Sequence, residues 1–161
     1  MTPLGAGGTD AFGVNALGQV VGDYYDASGN EHGFLEAGGV FTALDDPLGA
    51  EGTAANGING LGQAAGFYSD AAGGVHGFLD TNGAYATIDD PLGADGTNAE
   101  GASNSGQVVG IYFDASGEPH GFLATPSAAV PEPSSLALLA LGLLPAGLLP
   151  AGLLAARKRR A

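Results

Sequence analysis

The sequence predicts an all-β protein made of tandem four-stranded units, followed by one C-terminal transmembrane helix. Three observations support the β prediction. A segment that begins with Gly-Gln returns at residues 18, 62 and 106, so the repeat period is 44 residues. Each period contains four short runs of strand-forming residues separated by Gly, Asn and Asp. No window before residue 130 shows the apolar spacing of a helix. A fixed period of this length is typical of repeat architectures.

The repeat region covers residues 1–125, with units at about 1–44, 45–88 and 89–125. In the middle unit the predicted strands are, in chain order, 53–59, 63–69, 75–80 and 84–88. The segments between them, D-A-A-G-G, T-N-G and D-D-P-L-G-A-D-G, are rich in turn-forming residues. Because the third unit stops after its third strand, we expect eleven strands rather than twelve.

Four short antiparallel strands in 44 residues match the size of one propeller blade. The second strand of the third unit is small or apolar on both faces, which carry Val108, Gly110 and Tyr112, and Val109, Ile111 and Phe113. A sheet with one solvent-exposed face would have strands in which apolar and charged residues alternate. We therefore expect each unit to be packed between two neighbours. The prediction is a partial β-propeller-like array of about 2.75 blades, too few to close a ring. An irregular β-solenoid or an open β-array is the alternative.

One histidine recurs in each unit, at His32, His76 and His120. Three imidazoles at equivalent positions could converge on a metal ion. Equivalent positions in successive blades point away from each other unless they line a channel. We therefore expect each histidine to begin a strand and to form hydrogen bonds within its own unit.

Acidic residues in the turns are the candidate calcium ligands, namely Asp45, Asp46, Asp89 and Asp90. Calcium takes six to eight oxygen ligands. Paired acids could also serve glycoside hydrolysis, but adjacent residues at a strand end point to opposite sides. We expect solvated turn acids, with calcium binding as the alternative. Residues 26–30 also resemble a calcium loop, but the second copy lacks the later side-chain ligands, which favours a hairpin turn. No metal or cofactor is predicted.

The composition excludes several classes of function. The net charge is −13, and all four basic residues lie at 157–160. A chain without other cations is not expected to bind nucleic acid through its phosphates. The acidic chain should bind acidic polysaccharide only through a bridging divalent cation. There is no cysteine, no G-x-S-x-G motif and no phosphate-binding loop, so the sequence predicts a non-enzymatic protein.

Residues 136–156 form an uncharged apolar segment. As a helix this segment would span about 30 Å, the thickness of a bilayer core. The basic cluster that follows consists of Arg157, Lys158, Arg159 and Arg160. Because basic residues remain cytoplasmic, the sequence predicts an inner-membrane helix with residues 1–135 outside.

A short motif, Val130, Pro131, Glu132 and Pro133, precedes the apolar segment. With the apolar segment and the basic end it resembles the PEP-CTERM sorting signal of Gram-negative bacteria, over residues 130–161. The resemblance implies recognition by an exosortase, a membrane-embedded processing enzyme. It also implies removal of the tail and export to the cell surface or extracellular matrix. Residues 126–129 would form a linker.

The repeat itself resembles a family of bacterial extracellular repeats named for a His-Ala-Phe signature. The triplet here is His-Gly-Phe, at 32–34, 76–78 and 120–122. G-Q-V-V-G precedes the first and third triplets, and G-Q-A-A-G precedes the second. The resemblance covers residues 3–125 and implies an exported β-propeller-like module without an established activity.

These features predict an exported surface or matrix protein that serves adhesion, biofilm or exopolysaccharide association. The alternative is the C-terminal fragment of a secreted propeller enzyme acting on polysaccharide, and a third hypothesis is a remnant without function. The N-terminal residues lack a signal-peptide pattern, so we expect a part of a longer protein. Self-association of short arrays into a ring is the other explanation for the incomplete blade number.

Overall fold

A computed structural model describes residues 7–126, which form three antiparallel sheets. Sheet 1 contains β1 (Gly8–Val14), β2 (Val20–Tyr25), β3 (Glu31–Ala37) and β4 (Val40–Leu44). Sheet 2 contains β5 (Gly52–Ile58), β6 (Ala64–Ser69), β7 (Val75–Thr81) and β8 (Ala84–Ile88). Sheet 3 contains β9 (Thr97–Ala102), β10 (Val108–Phe113) and β11 (Pro119–Ala124). The predicted all-β class and the four-stranded antiparallel unit are confirmed.

The strands of the middle unit begin and end within one residue of the predicted positions. Two of these one-residue differences are at the first turn, where Asn59 and Gln63 fall outside the strands. The Asn59 side-chain oxygen accepts the Gln63 backbone N–H at 3.0 Å. The Asn59 backbone N–H donates to the Gln63 carbonyl. These bonds close the turn, so both residues belong to it.

Each sheet is a simple meander with the same register irregularity in its first strand. The pairing shifts between Ala11 and Gly13 in β1 and between Ala55 and Gly57 in β5, and a matching shift occurs in β9. A bulge of this kind bends the strand and increases its twist. The three sheets therefore share one shape, as their 44-residue period implies.

A glycine in the second strand of each sheet lies beneath a phenylalanine of the third strand. At Gly66 an added Cβ would overlap the Ala54 carbonyl oxygen and lie 2.9 Å from the Phe78 ring. Gly22 and Gly110 have the same surroundings. The second glycine of the G-Q-x-x-G segment and the phenylalanine of His-Gly-Phe thus form one packing unit.

The sheets stack face to face in chain order. We call the side of a sheet that carries Val21, Ala65 or Val109 its forward face. The opposite side, which carries Val20, Ala64 or Val108, is its rear face. The forward face of sheet 1 packs on the rear face of sheet 2, and the cluster joins Val21 and Leu44 with Ala55, Tyr68 and Phe78. The forward face of sheet 2 packs on the rear face of sheet 3, and the cluster joins Ala65 and Leu79 with Ala99 and Val108.

Asparagine side chains connect neighbouring sheets at the same place in both junctions. Asn15 Nδ2 donates to the Asn59 carbonyl, and Asn59 Nδ2 donates to the Ser103 carbonyl, both at 2.9 Å. Asn56 Nδ2 adds a bond to the Ala99 carbonyl at 2.9 Å. Sheet 2 is therefore covered on both faces, as predicted for a unit between neighbours.

Several predictions fall on residues outside the described range of 7–126. These are the linker beyond residue 126, the sorting motif at 130–133, the helix at 136–156 and the basic cluster at 157–160. Between residues 7 and 126, no helix is long and apolar enough to cross a membrane.

Candidate functional site

Each histidine is the second residue of the third strand of its sheet, where carboxylates contact its ring. His32 Nδ1 lies 3.1 Å from Asp45 Oδ1, and its Nε2 lies 3.5 Å from Asp26 Oδ2. His76 repeats this arrangement, with Nδ1 2.9 Å from Asp89 and Nε2 3.3 Å from Asp70. The two aspartates come from the turn before the strand and from the segment after the fourth strand.

The third histidine has the same partner in the preceding turn. His120 Nε2 lies 3.0 Å from Asp114 Oδ2. The structure does not bring the three histidines together, because each is bonded within its own sheet. This is the arrangement that the sequence predicted for them.

A tyrosine of the second strand stacks on each histidine. The ring centroids of Tyr24 and His32 lie 5.0 Å apart with an interplanar angle of 21°. The pairs Tyr68–His76 and Tyr112–His120 have centroid distances of 5.1 Å. The histidine ring is thus held on one face by an aromatic ring and at its edge by carboxylates, which fixes its orientation.

The aspartate of the second turn holds the turn and the histidine at the same time. Asp26 Oδ1 accepts the backbone N–H groups of Ser28 and Asn30, at 2.7 and 2.9 Å. The backbone and side-chain donors of Asn30 lower the pKa of Asp26 to about 2. The His120 hydrogen bond and turn N–H groups likewise lower the pKa of Asp114 to about 2. These carboxylates are therefore charged at neutral pH, and residues 26–30 form a hairpin turn.

The four candidate calcium ligands separate into two roles. Asp45 and Asp89 contact the histidines. Asp46 Oδ1 accepts the Leu48 N–H at 2.8 Å, and Asp90 Oδ1 accepts the Leu92 N–H at 2.9 Å. Adjacent acids therefore have different partners, as expected for neighbours at a strand end. Asp46 is only 5% exposed, so the prediction of a solvated turn acid is wrong for this residue. In the part of the chain that the structure describes, no three His, Asp or Glu side chains are grouped to hold a metal ion.

A polar cleft lies beside the histidine at each junction between sheets. The cleft next to His32 has a volume of about 310 Å³, and its walls include Asp45, Glu51 and Gly52. The cleft next to His76 has a volume of about 230 Å³, and its walls include the residues one period later, Asp89, Asp95 and Gly96. Their carboxylates and backbone groups can form hydrogen bonds with a small polar ligand.

A buried carboxyl group in sheet 1 was missed by the sequence reasoning. Asp23 is only 5% exposed, and its Oδ1 has no hydrogen-bond partner in the described residues. Burial, together with a hydrogen bond and charge from Glu31 and the charge of Asp10, raises its pKa to about 6. The available signal was the departure from the repeat, because the equivalent residues are Phe67 and Ile111.

The chain was compared with protein-family models, curated proteins and solved structures. None of the three comparisons gives a match.

Proposed function

We propose that this protein is exported and acts without catalysis at the cell surface or in the extracellular matrix. In this proposal residues 130–161 are a sorting signal, and an exosortase in the inner membrane recognises the motif at 130–133. The observation that carries the proposal is the order of motif, apolar segment and basic cluster in the sequence.

The charge distribution supports the same orientation. All Lys and Arg residues lie at 157–160, and every acidic residue lies before them. Basic residues next to a membrane segment favour the cytoplasmic side, so the repeat region would face outward. The membrane state would be transient, and processing would release the repeat region.

The three stacked sheets would serve as propeller-like blades of an adhesive module. Two junctions in succession use equivalent residues, which supports a regular blade-to-blade arrangement. Clefts lined by carboxylates and backbone groups recur at these junctions. Such clefts suit hydroxyl or amino groups of a polysaccharide, so adhesion or exopolysaccharide association is the role that we propose.

The proposal is tested by replacing Pro131, Glu132 and Pro133 together with alanine, in a Gram-negative host that carries an exosortase. We expect the wild-type chain to be shortened and to reach the surface or medium. The triple variant should stay full length in the inner membrane. Fractionation followed by intact-mass measurement separates these states.

The matched control is Pro126→Ala, which removes a proline outside the motif. This variant should be processed like the wild type. Normal shortening of the triple variant, or equal retention of Pro126→Ala, would contradict the sorting proposal.

A further inference from the structure

We propose that copies of this chain associate head to tail. The forward face of sheet 3 in one copy would pack on the rear face of sheet 1 in the next. This inference goes beyond the proposed function, because it concerns the partner of two sheet faces and not sorting or adhesion. It rests on the two junctions inside the chain, where the same two faces already meet.

The rear face of sheet 1 lacks the cover that its equivalents have. Thr53 and Ala55 in β5 are fully buried under sheet 1. Thr97 and Ala99 in β9 are fully buried under sheet 2. The equivalent residues of β1, Thr9 and Ala11, are exposed. The residue types are therefore suited to a packed interface that sheet 1 does not form within residues 7–126.

The forward face of sheet 3 shows the complementary difference. Val21 of sheet 1 and Ala65 of sheet 2 are 0% exposed, because the following sheet covers them. Val109, at the equivalent position of sheet 3, is 49% exposed, and Leu123 on the same face is 59% exposed. Apolar side chains of this size on one face form a patch of the kind that marks an interaction surface.

Backbone contacts between the first strands agree with this assignment. A Cβ added to Gly13 would lie 3.1 Å from the Gly57 Cα, and a Cβ added to Gly57 would lie 3.1 Å from the Gly101 Cα. A Cβ added to Gly101 would meet only Val109 of its own sheet, at 3.9 Å. Gly101 thus leaves room for the close approach that the two earlier glycines make.

The two free faces are different surfaces, so the contact between copies is heterologous and produces rings or filaments. It would be weaker than the internal junctions for two reasons. Ser103 occupies the position of the asparagine donors Asn15 and Asn59, and it lacks their amide. Glu100 occupies the position of Asn56, whose side chain also donates to Asn98. Asp10 is the equivalent of Asn98 in sheet 1, so Glu100 would lie near Asp10 of the next copy. Salt that screens this repulsion should strengthen association.

Disulfide trapping tests the orientation, since the natural chain contains no cysteine. Ala65 lies in one cluster with Ala99, so Val109 of one copy should lie near Ala11 of the next. Full-length chains carrying Val109→Cys or Ala11→Cys, with different tags, are mixed in mild detergent and oxidised. We expect the mixed disulfide to exceed clearly the amount that random pairing of the two chains would give. A random distribution of the three products would overturn the proposal.

Second-site changes separate this contact from association through other parts of the chain. Adding Gly101→Val to the Val109→Cys chain blocks the close approach at a site with free space, so trapping should fall by roughly tenfold, equivalent to about 1.4 kcal/mol. Leu123→Asp should have a similar effect. Leu92→Asp is the matched control, because Leu92 is 66% exposed but lies in the loop between sheets 2 and 3, and it should leave trapping unchanged.

A gain of association is also expected. Ser103→Asn restores the donor that the internal junctions use, so the yield of mixed disulfide should rise. Circular dichroism of each variant establishes that the sheets are retained. Unchanged trapping in Gly101→Val and Leu123→Asp chains that are folded would show that these faces do not meet.

Discussion

Asp23 occupies a position in β2 where the two later units carry Phe67 and Ile111. Its neighbours on the same face are Glu31 and Asp10, and sheet 2 excludes water from its side chain. A neutral Asp23 can donate its proton to Glu31, whereas a charged one would face two other carboxylates. Sheet 1 therefore packs on sheet 2 across a carboxyl group that binds its proton more tightly in the folded protein than in the unfolded chain.

We predict that Asp23 makes the protein less stable as the pH rises. Its folded pKa of about 6 lies above the ordinary value of 3.8, so the folded state binds the proton more tightly. Stability should therefore be greatest below about pH 4 for this group and decrease as the pH approaches and passes 6. Asp23→Asn should remove the loss and raise the free energy of unfolding at pH 7.5 by roughly 1–3 kcal/mol.

Urea unfolding of the full chain in mild detergent at pH 5 and pH 7.5 measures this difference. Glu118→Gln is the control, because it also removes one acid but from an exposed turn. If Asp23→Asn and Glu118→Gln show the same change between the two pH values, the group does not titrate as described.

At the scale of the element, the strands were predicted closely because turn residues limit each of them. Glycine and asparagine or aspartate occur at fixed places, and their backbone preferences determine where a strand can end. The partners of each strand were predicted for the same reason, since short turns join antiparallel neighbours. The side-chain pairs were not predictable in detail. The Tyr24–His32 stack depends on the register between β2 and β3, in which the two residues lie opposite each other. The sequence pattern did not reveal that register.

The glycine beneath the phenylalanine gives a prediction for the strand. Gly66→Ala should lower the free energy of unfolding by about 3 kcal/mol, because the new methyl group overlaps the Ala54 carbonyl and the Phe78 ring. Gly101→Ala is the matched control, since its added methyl group has free space. Urea midpoints of the two variants compare them directly. Equal midpoints would show that the strand can move to make room.

At the scale of the whole molecule, the candidate calcium residues were predicted as solvated turn acids, which is wrong for the buried Asp46. Asp45 and Asp89 hold the histidines, while Asp46 and Asp90 cap the loops that lead to the next sheet. The sequence could show that these acids recur. It could not show which carboxylate meets which histidine, because the two residues are thirteen positions apart and join only when the sheet forms.

We therefore predict that calcium does not stabilise the protein. A ligand raises the melting temperature only when it binds the folded state more tightly than the unfolded state. Because Asp45 and Asp89 contact histidines and Asp46 and Asp90 accept backbone N–H groups, millimolar calcium should leave the melting temperature of the full chain unchanged. Differential scanning calorimetry with calcium, and with magnesium as the control for ionic strength, measures this. A calcium-specific rise of several degrees would show that the acidic turns bind the ion.

The asparagine contacts that link one sheet to the next have a consequence for how such a gene can change. Removing residues 62–105 would bring residue 61 next to residue 106, which begins the same Gly-Gln segment. The first strand of sheet 2 would then continue into the last two strands of sheet 3, and Asn15 would still face the carbonyl of residue 59. Recombination between repeats can therefore shorten or lengthen the protein by whole periods, while the asparagine contact at the remaining junction is kept.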